Sequence, residues 1–172
     1  MHPGSMATLY RSDTREAQYP SVPAPLRAAL ARWAEAHQLT LDGARVWLTR
    51  SENLPAEGVI AKLLGRRKNP ADPDAESVSA LLLHPTQVIV GSYGERAGAN
   101  VTGVALAQLS VQRGNSLAAK LGPAAPQDDG ISLDGVPSGT NRVATLFFKM
   151  GGADADGCFA AVESAVRAAK RG

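Results

Sequence analysis

Apolar residues recur at helical spacing near both ends of the chain and at strand spacing between them. Leu26, Leu30, Trp33 and His37 share one side of a helix, while Arg27, Arg32 and Glu35 take other positions. Pro25 suits a first helical turn, so a helix is predicted over 24–38. Before it, residues 6–22 are polar and mixed, which predicts an extended or poorly ordered arm. After it, Asp42-Gly43 marks a turn. Residues 44–50 contain Val46, Trp47 and Thr49, which favour a strand, with a short helix as the alternative.

Residues 57–65 carry two patterns at once. Val59, Ile60, Leu63 and Leu64 match an amphipathic helix, yet Gly58 and Gly65 bound the run equally well as a strand. The stretch 66–75, with three basic residues, two prolines and two aspartates, predicts a loop. The period then shortens to two. Strands are predicted over 77–83, 86–92, 102–112, 131–133 and 142–150. Loops are predicted over the glycine-rich 91–100 and over 113–130, which holds Pro123 and Pro126, with a turn over 136–141. The chain closes on a helix beginning near Asp154 or Asp156, either of which can accept from the free N–H groups of a helix start. Phe159, Val162, Val166 and Ala169 form its apolar stripe, and Arg167, Lys170 and Arg171 complement the helix dipole at its end.

With 172 residues, a chain of this kind forms one domain or one domain with an N-terminal extension. Aromatic residues make up only 5%, so the core must be built from Leu, Val, Ile and Ala. A net charge of +2 is too mild to imply a nucleic-acid or membrane partner. Cys158 has no second cysteine to pair with, which fits a cytoplasmic setting. No apolar run approaches the roughly 18 residues of a membrane span. His2-Pro3-Gly4-Ser5 before Met6 reads as a cloning scar and is set aside.

Short strands followed by one C-terminal helix suggest a small antiparallel barrel plugged by that helix. Four segments carry a resemblance to bacterial members of the pleckstrin-homology-like superfamily, including GRAM-type domains. Residues 57–65 resemble the first strand of that family. Residues 80–90 resemble the second and third, and 104–111 a later strand. Residues 143–150 with the following helix resemble the closing pair. Where many of these domains have Thr-Asp-Arg at the hairpin, this chain has His84-Pro85-Thr86, and Gln108 stands where Asp is common.

The resemblance implies an α+β, mainly β fold. A small antiparallel pleckstrin-homology-like barrel or sandwich over 55–172 is capped by its C-terminal helix. It is preceded by a helical extension over 23–54 and a flexible arm over 1–22. On that resemblance, 57–65 is expected to be a strand.

The chemistry-bearing residues are sparse. Beyond His2, only His37 and His84 remain, and Cys158 has no His or Cys at ligand spacing, so no metal site or cofactor is expected. Cys158, beside Phe159 on a helix, reads as a packed core thiol. Ser138 lies outside any nucleophile elbow. Asp128-Asp129 and Asp154/Asp156 lack the calcium-loop pattern, and Gly91, Gly94 and Gly98 lack a phosphate-loop context. No catalytic residue is assigned.

The sharpest candidates are Lys62, Arg66, Arg67 and Lys68, four cations within seven positions, suited to a phosphate-bearing headgroup or nucleic acid. Asp72, Asp74 and Glu76 nearby offset them, and no aromatics interleave to stack on bases. The expected function is a non-enzymatic binding module with a protein or peptide partner, self-association included. Binding of anionic lipid through 62–68 is the first alternative and a small enzyme the second. Nucleic acid is not expected as a partner.

Overall fold

A strand buried on both faces needs cover on both sides, and the run Glu76–Leu83 shows how this chain supplies it. Val78, Ala80 and Leu82 point one way and Leu81 the other, and all four are buried. In the computed structural model, which describes residues 8–116, 122, 128–139 and 141–172, this strand is the centre of a five-stranded antiparallel sheet. The sheet runs in chain order through β1 (Tyr10–Ala17), β2 (Arg45–Asn53), β3 (Glu76–Leu83), β4 (Gln87–Gly94) and β5 (Gly98–Ala105). A second antiparallel sheet follows, with β6 (Ser110–Arg113), β7 (Gly130–Pro137) and β8 (Val143–Lys149). The helices are α1 (Ala24–Ala36), α2 (Val59–Leu63) and α3 (Ala155–Arg171). The protein is therefore mainly antiparallel β with a C-terminal helix.

Each face of the large sheet has its own core. On one face α1 lays Leu26, Leu30 and Ala34 over Val46, Leu48, Ala80, Leu82 and Ile89. The helix sits close because β5 carries Gly103 beneath Trp33, where a Cβ would collide with the indole. On the other face Trp47, Leu81, Val88 and Val104 meet Ile131, Leu133 and Phe148 of the second sheet and Cys158, Val162 and Val166 of α3. Fully burying each such aliphatic side chain contributes about 1.5–3 kcal/mol. Arg113 on β6 fastens α3 by donating to both oxygens of Asp129 at 2.8 Å and to Asp156 at 2.9 Å.

Several elements differ from the sequence-based expectation, each for a visible reason. The stretch 57–65 is not a strand: it holds the five-residue helix α2, and Gly58 and Gly65 have φ of +100° and +66°, which break a strand and suit a helix boundary. The N-terminal stretch contains β1, hydrogen-bonded to β2 in unbroken register from Tyr10↔Asn53 to Ala17↔Val46.

The glycine-rich 91–100 is not a loop. Here β4 and β5 form a hairpin around Glu95–Ala97, held by the buried Asp74 carboxylate, which accepts from Arg96 N (2.7 Å) and Ala97 N (3.0 Å). The expected strand over 102–112 breaks at the 3₁₀ turn Leu106–Gln108, where Leu106 and Leu109 both turn into the core. The short strand at 131–133 extends to Gly130–Pro137, with a bulge between Asp134 and Val136.

Asp154 stands at the start of α3 but does not cap it; its Oδ2 accepts from Glu16 N at 2.9 Å and so ties α3 to β1. The helix over 24–38, the strand choice for 44–50, the strands near 77–83, 86–92 and 142–150, and the closing helix all agree with the structure. Pro123, Pro126 and Thr140, with the scar at 2–5, lie outside the described residues.

Candidate functional site

The chain between β2 and β3 is a stalk with a helix at its tip. Ala56 N donates to Arg66 O (2.9 Å) and Lys68 N to Leu54 O (2.7 Å), around a bridge pairing Pro55 with Arg67. Buried Asn53 locks the base: its Nδ2 donates to Asn69 O at 2.9 Å, and its Oδ1 accepts from Asn69 N at 3.1 Å. Asn69 also donates to the Tyr10 hydroxyl (2.9 Å), which in turn donates to Asp72 (2.8 Å). Burial first, then this bond to Asp72, pushes the Tyr10 phenol up to about 12. Lys149 Nζ lies 3.5 Å from the centre of the Tyr10 ring. Burial lowers its pKa, opposed by the charges of Asp72 and Asp128. These groups position the stalk.

At the tip, α2 turns its apolar residues outward. Val59 is 76% exposed, Ile60 74%, Leu63 81% and Leu64 62%. The positions i, i+1, i+4 and i+5 place them on one helical face. The hydrophobic pattern that predicted either a buried helix or a strand is therefore spent on neither.

The four cations proposed from sequence do not act as one group. Lys62 on α2 and Arg66 just beyond it are exposed, with no ion pair among the described residues. Arg67 donates to Asn53 O at 3.4 Å, and Lys68 to Thr8 O at 3.3 Å while lying 3.7 Å from Glu57. Two cations thus flank the apolar tip and two secure its base.

Sequence reasoning missed the neighbouring groove. A cavity of about 500 Å³ opens on the α1 side of the large sheet, lined by Pro23, Val78 and Tyr93 and by charges of both signs, Arg11 and Arg50 with Asp13, Glu52, Glu76 and Glu95. A second hollow of about 440 Å³ shares those three glutamates and reaches Gly65 and Arg67 at the foot of the α2 stalk. The signal was present only as register: Glu52 lies opposite Glu76 across β2 and β3, an unfavourable pairing of like charges. Arg11 pairs with Glu52, whereas Glu76 and Glu95 have no ion pair among the described residues.

Two further groups with shifted ionisation belong to the second core and its ties. Burial pushes the Cys158 thiol up to about 12, which keeps it neutral in the core. The Arg113 guanidinium holds Asp129 below the usual carboxylate range. Among the described residues no group of three or more His, Cys, Asp or Glu is placed to hold a metal ion, and no helix is long and apolar enough to cross a membrane. Comparison of the chain with protein-family models, curated proteins and solved structures finds no match.

Proposed function

We propose that this chain is a non-enzymatic binding module of pleckstrin-homology-like type that docks a protein through the apolar face of α2. The order of elements supports the family reading: one antiparallel meander, a second meander of three strands, then a closing helix. The exposure of Val59, Ile60, Leu63 and Leu64 carries the functional one. Aliphatic side chains grouped on a stalk, outside both cores, lower the free energy only when something else covers them. The shifted groups support a non-catalytic role, since Tyr10, Asp129 and Arg113 are engaged in structural bonds and Cys158 is enclosed.

Lys62 and Arg66 beside the apolar tip favour a second reading, in which α2 rests on an anionic membrane. Basic residues near such a surface contribute only about 1 kcal/mol each. The tip also carries the exposed acid Glu57 and no aromatic anchor, so the protein partner is preferred.

Placing a photo-crosslinking amino acid at position 63 in living cells separates the two. The protein reading predicts a covalent protein adduct of one defined mass, lost when Ile60→Asp is added. Labelling of lipid alone, or no labelling, contradicts it.

A further inference from the structure

Helix α1 covers one face of the large sheet but begins short of the sheet's end. Leu48, Ala80 and Gly91 lie in register beneath it, and Leu26 comes so close to Gly91 that a Cβ there would collide with it. Two further rows form the floor of the groove of about 500 Å³. The nearer is Asp13, Arg50, Val78 and Tyr93, and the farther is Arg11, Glu52 and Glu76. Pro23, at the start of α1, and Glu95, in the β4–β5 turn, add to its lining.

The groove carries charges of both signs, and the fold satisfies some of them itself. Arg15 takes Asp13 at 2.9 Å, and Arg11 takes Glu52. Arg50, Glu76 and Glu95 enter no ion pair among the described residues. Arg96 lines the second hollow and not this one. One cation and two anions are thus left around the apolar surface of Pro23, Val78 and Tyr93.

We propose that this groove binds a free basic α-amino acid of the lysine and arginine class. Such a molecule carries one carboxylate and two cations, so each charge left in the groove gains one partner of opposite sign. The carboxylate meets the Arg50 guanidinium, which grips it through two parallel N–H donors. The α-ammonium and the side-chain cation meet Glu76 and Glu95. Two residues along a strand advance about 7 Å, the separation of the Arg50 row from the Glu76 row. A stem of roughly three or four methylenes crosses that gap over Val78 and Tyr93. An acidic ligand leaves the glutamates unmet, and a polyamine leaves Arg50 unmet, so the arrangement selects against both. The site is separate from α2 and does not depend on the reading of α2 as a docking surface.

Titration calorimetry of the full chain with L-arginine and L-lysine gives the test. Saturable binding of one molecule per chain is expected, weaker as salt is raised. Norleucine keeps the stem of lysine without its second cation, and agmatine is arginine without its carboxylate. Each should bind about tenfold more weakly or worse than its parent amino acid. Arg50→Gln weakens binding of both amino acids by about tenfold or more, as does Glu76→Gln with Glu95→Gln; all three residues are exposed. Ile60→Asp on α2 leaves the affinity unchanged.

Absence of saturable binding of both amino acids at millimolar concentration overturns the inference. So does norleucine or agmatine binding as tightly as its parent, or an Arg50→Gln chain of unchanged affinity. The ligand series uses the parent chain and is independent of how any variant folds. A peptide ending in lysine offers the same carboxylate, stem and side-chain cation but no α-ammonium. Weaker binding of that peptide than of free lysine supports the proposal, whereas equal or tighter binding overturns it in favour of a chain terminus.

Discussion

Helices α2 and α3 are both amphipathic, and the fold treats them in opposite ways. In α3, Cys158 and Val162 are fully buried and Val166 nearly so, packed on both sheets. In α2, every large apolar side chain is more than half exposed. The pattern of residues is the same kind in each; the difference is what lies opposite. A face that the chain covers itself contributes to stability, whereas a face left open on a locked stalk adds nothing to the packing of its own fold.

Substitutions on the two helices are the most direct way to break that contrast. Val162→Asp puts an unpaired charge into the core beneath α3 and is expected to abolish folding, visible as loss of the cooperative unfolding transition. Phe148→Ala, in the same core, is expected to cost about 3–5 kcal/mol in chemical denaturation. A value near zero for either would mean that the second core is not where the stability lies.

Asp74→Ala removes the carboxylate that holds the Arg96 and Ala97 amides beside the groove, and about 2–3 kcal/mol is expected to be lost. Because Asp74 lies in the stretch that joins α2 to β3, hydrogen exchange should speed up at Arg96 and Ala97 while α3 stays protected.

A smaller effect separates the regions by pH. Cys158 on the buried face of α3 and Tyr10 at the base of the stalk both have acidic protons held more tightly in the fold than in the unfolded chain. Their contribution is fully present below the unfolded values of 9.0 and 10.0 and is lost as pH rises toward about 12. Thermal melts should therefore fall progressively from pH 9.0 upward, and Tyr10→Phe should flatten the part above pH 10.0. On the acid side Asp129 acts with the opposite sign. Its contribution is present above the ordinary carboxylate range and is lost as pH falls through its lowered pKa, so Arg113→Gln should make the acid limb shallower.

The same two helices show which parts of the molecule were legible in the sequence. Helix α3 could be read from Phe159, Val162 and Val166, because a long periodic stripe with cations at its end admits one interpretation. Five residues of α2 admit two, and resemblance to a family's first strand pointed to the wrong one. Strand β1 was invisible because its residues are mostly polar: Ser12 and Thr14 meet Ser51 and Thr49 through hydroxyl hydrogen bonds of 2.9 and 2.8 Å, where hydrophobic alternation would otherwise mark a strand. The cations 62–68 were legible as a cluster, but their division into exposed Lys62 and Arg66 and anchoring Arg67 and Lys68 depends on where the stalk folds. The groove depends on the β2–β3 register, which no local pattern encodes.

The central claim is that the apolar face of α2 does no work in its own fold. Chemical unfolding of the double variant Ile60→Ser, Leu63→Ser beside the parent chain, at a concentration low enough to keep both monomeric, tests it most directly. The unfolding free energies should agree within about 0.5 kcal/mol, as for surface positions elsewhere. A loss of about 2 kcal/mol or more per site, the cost of emptying a core position, would show that α2 is packed by its own chain and would contradict the account.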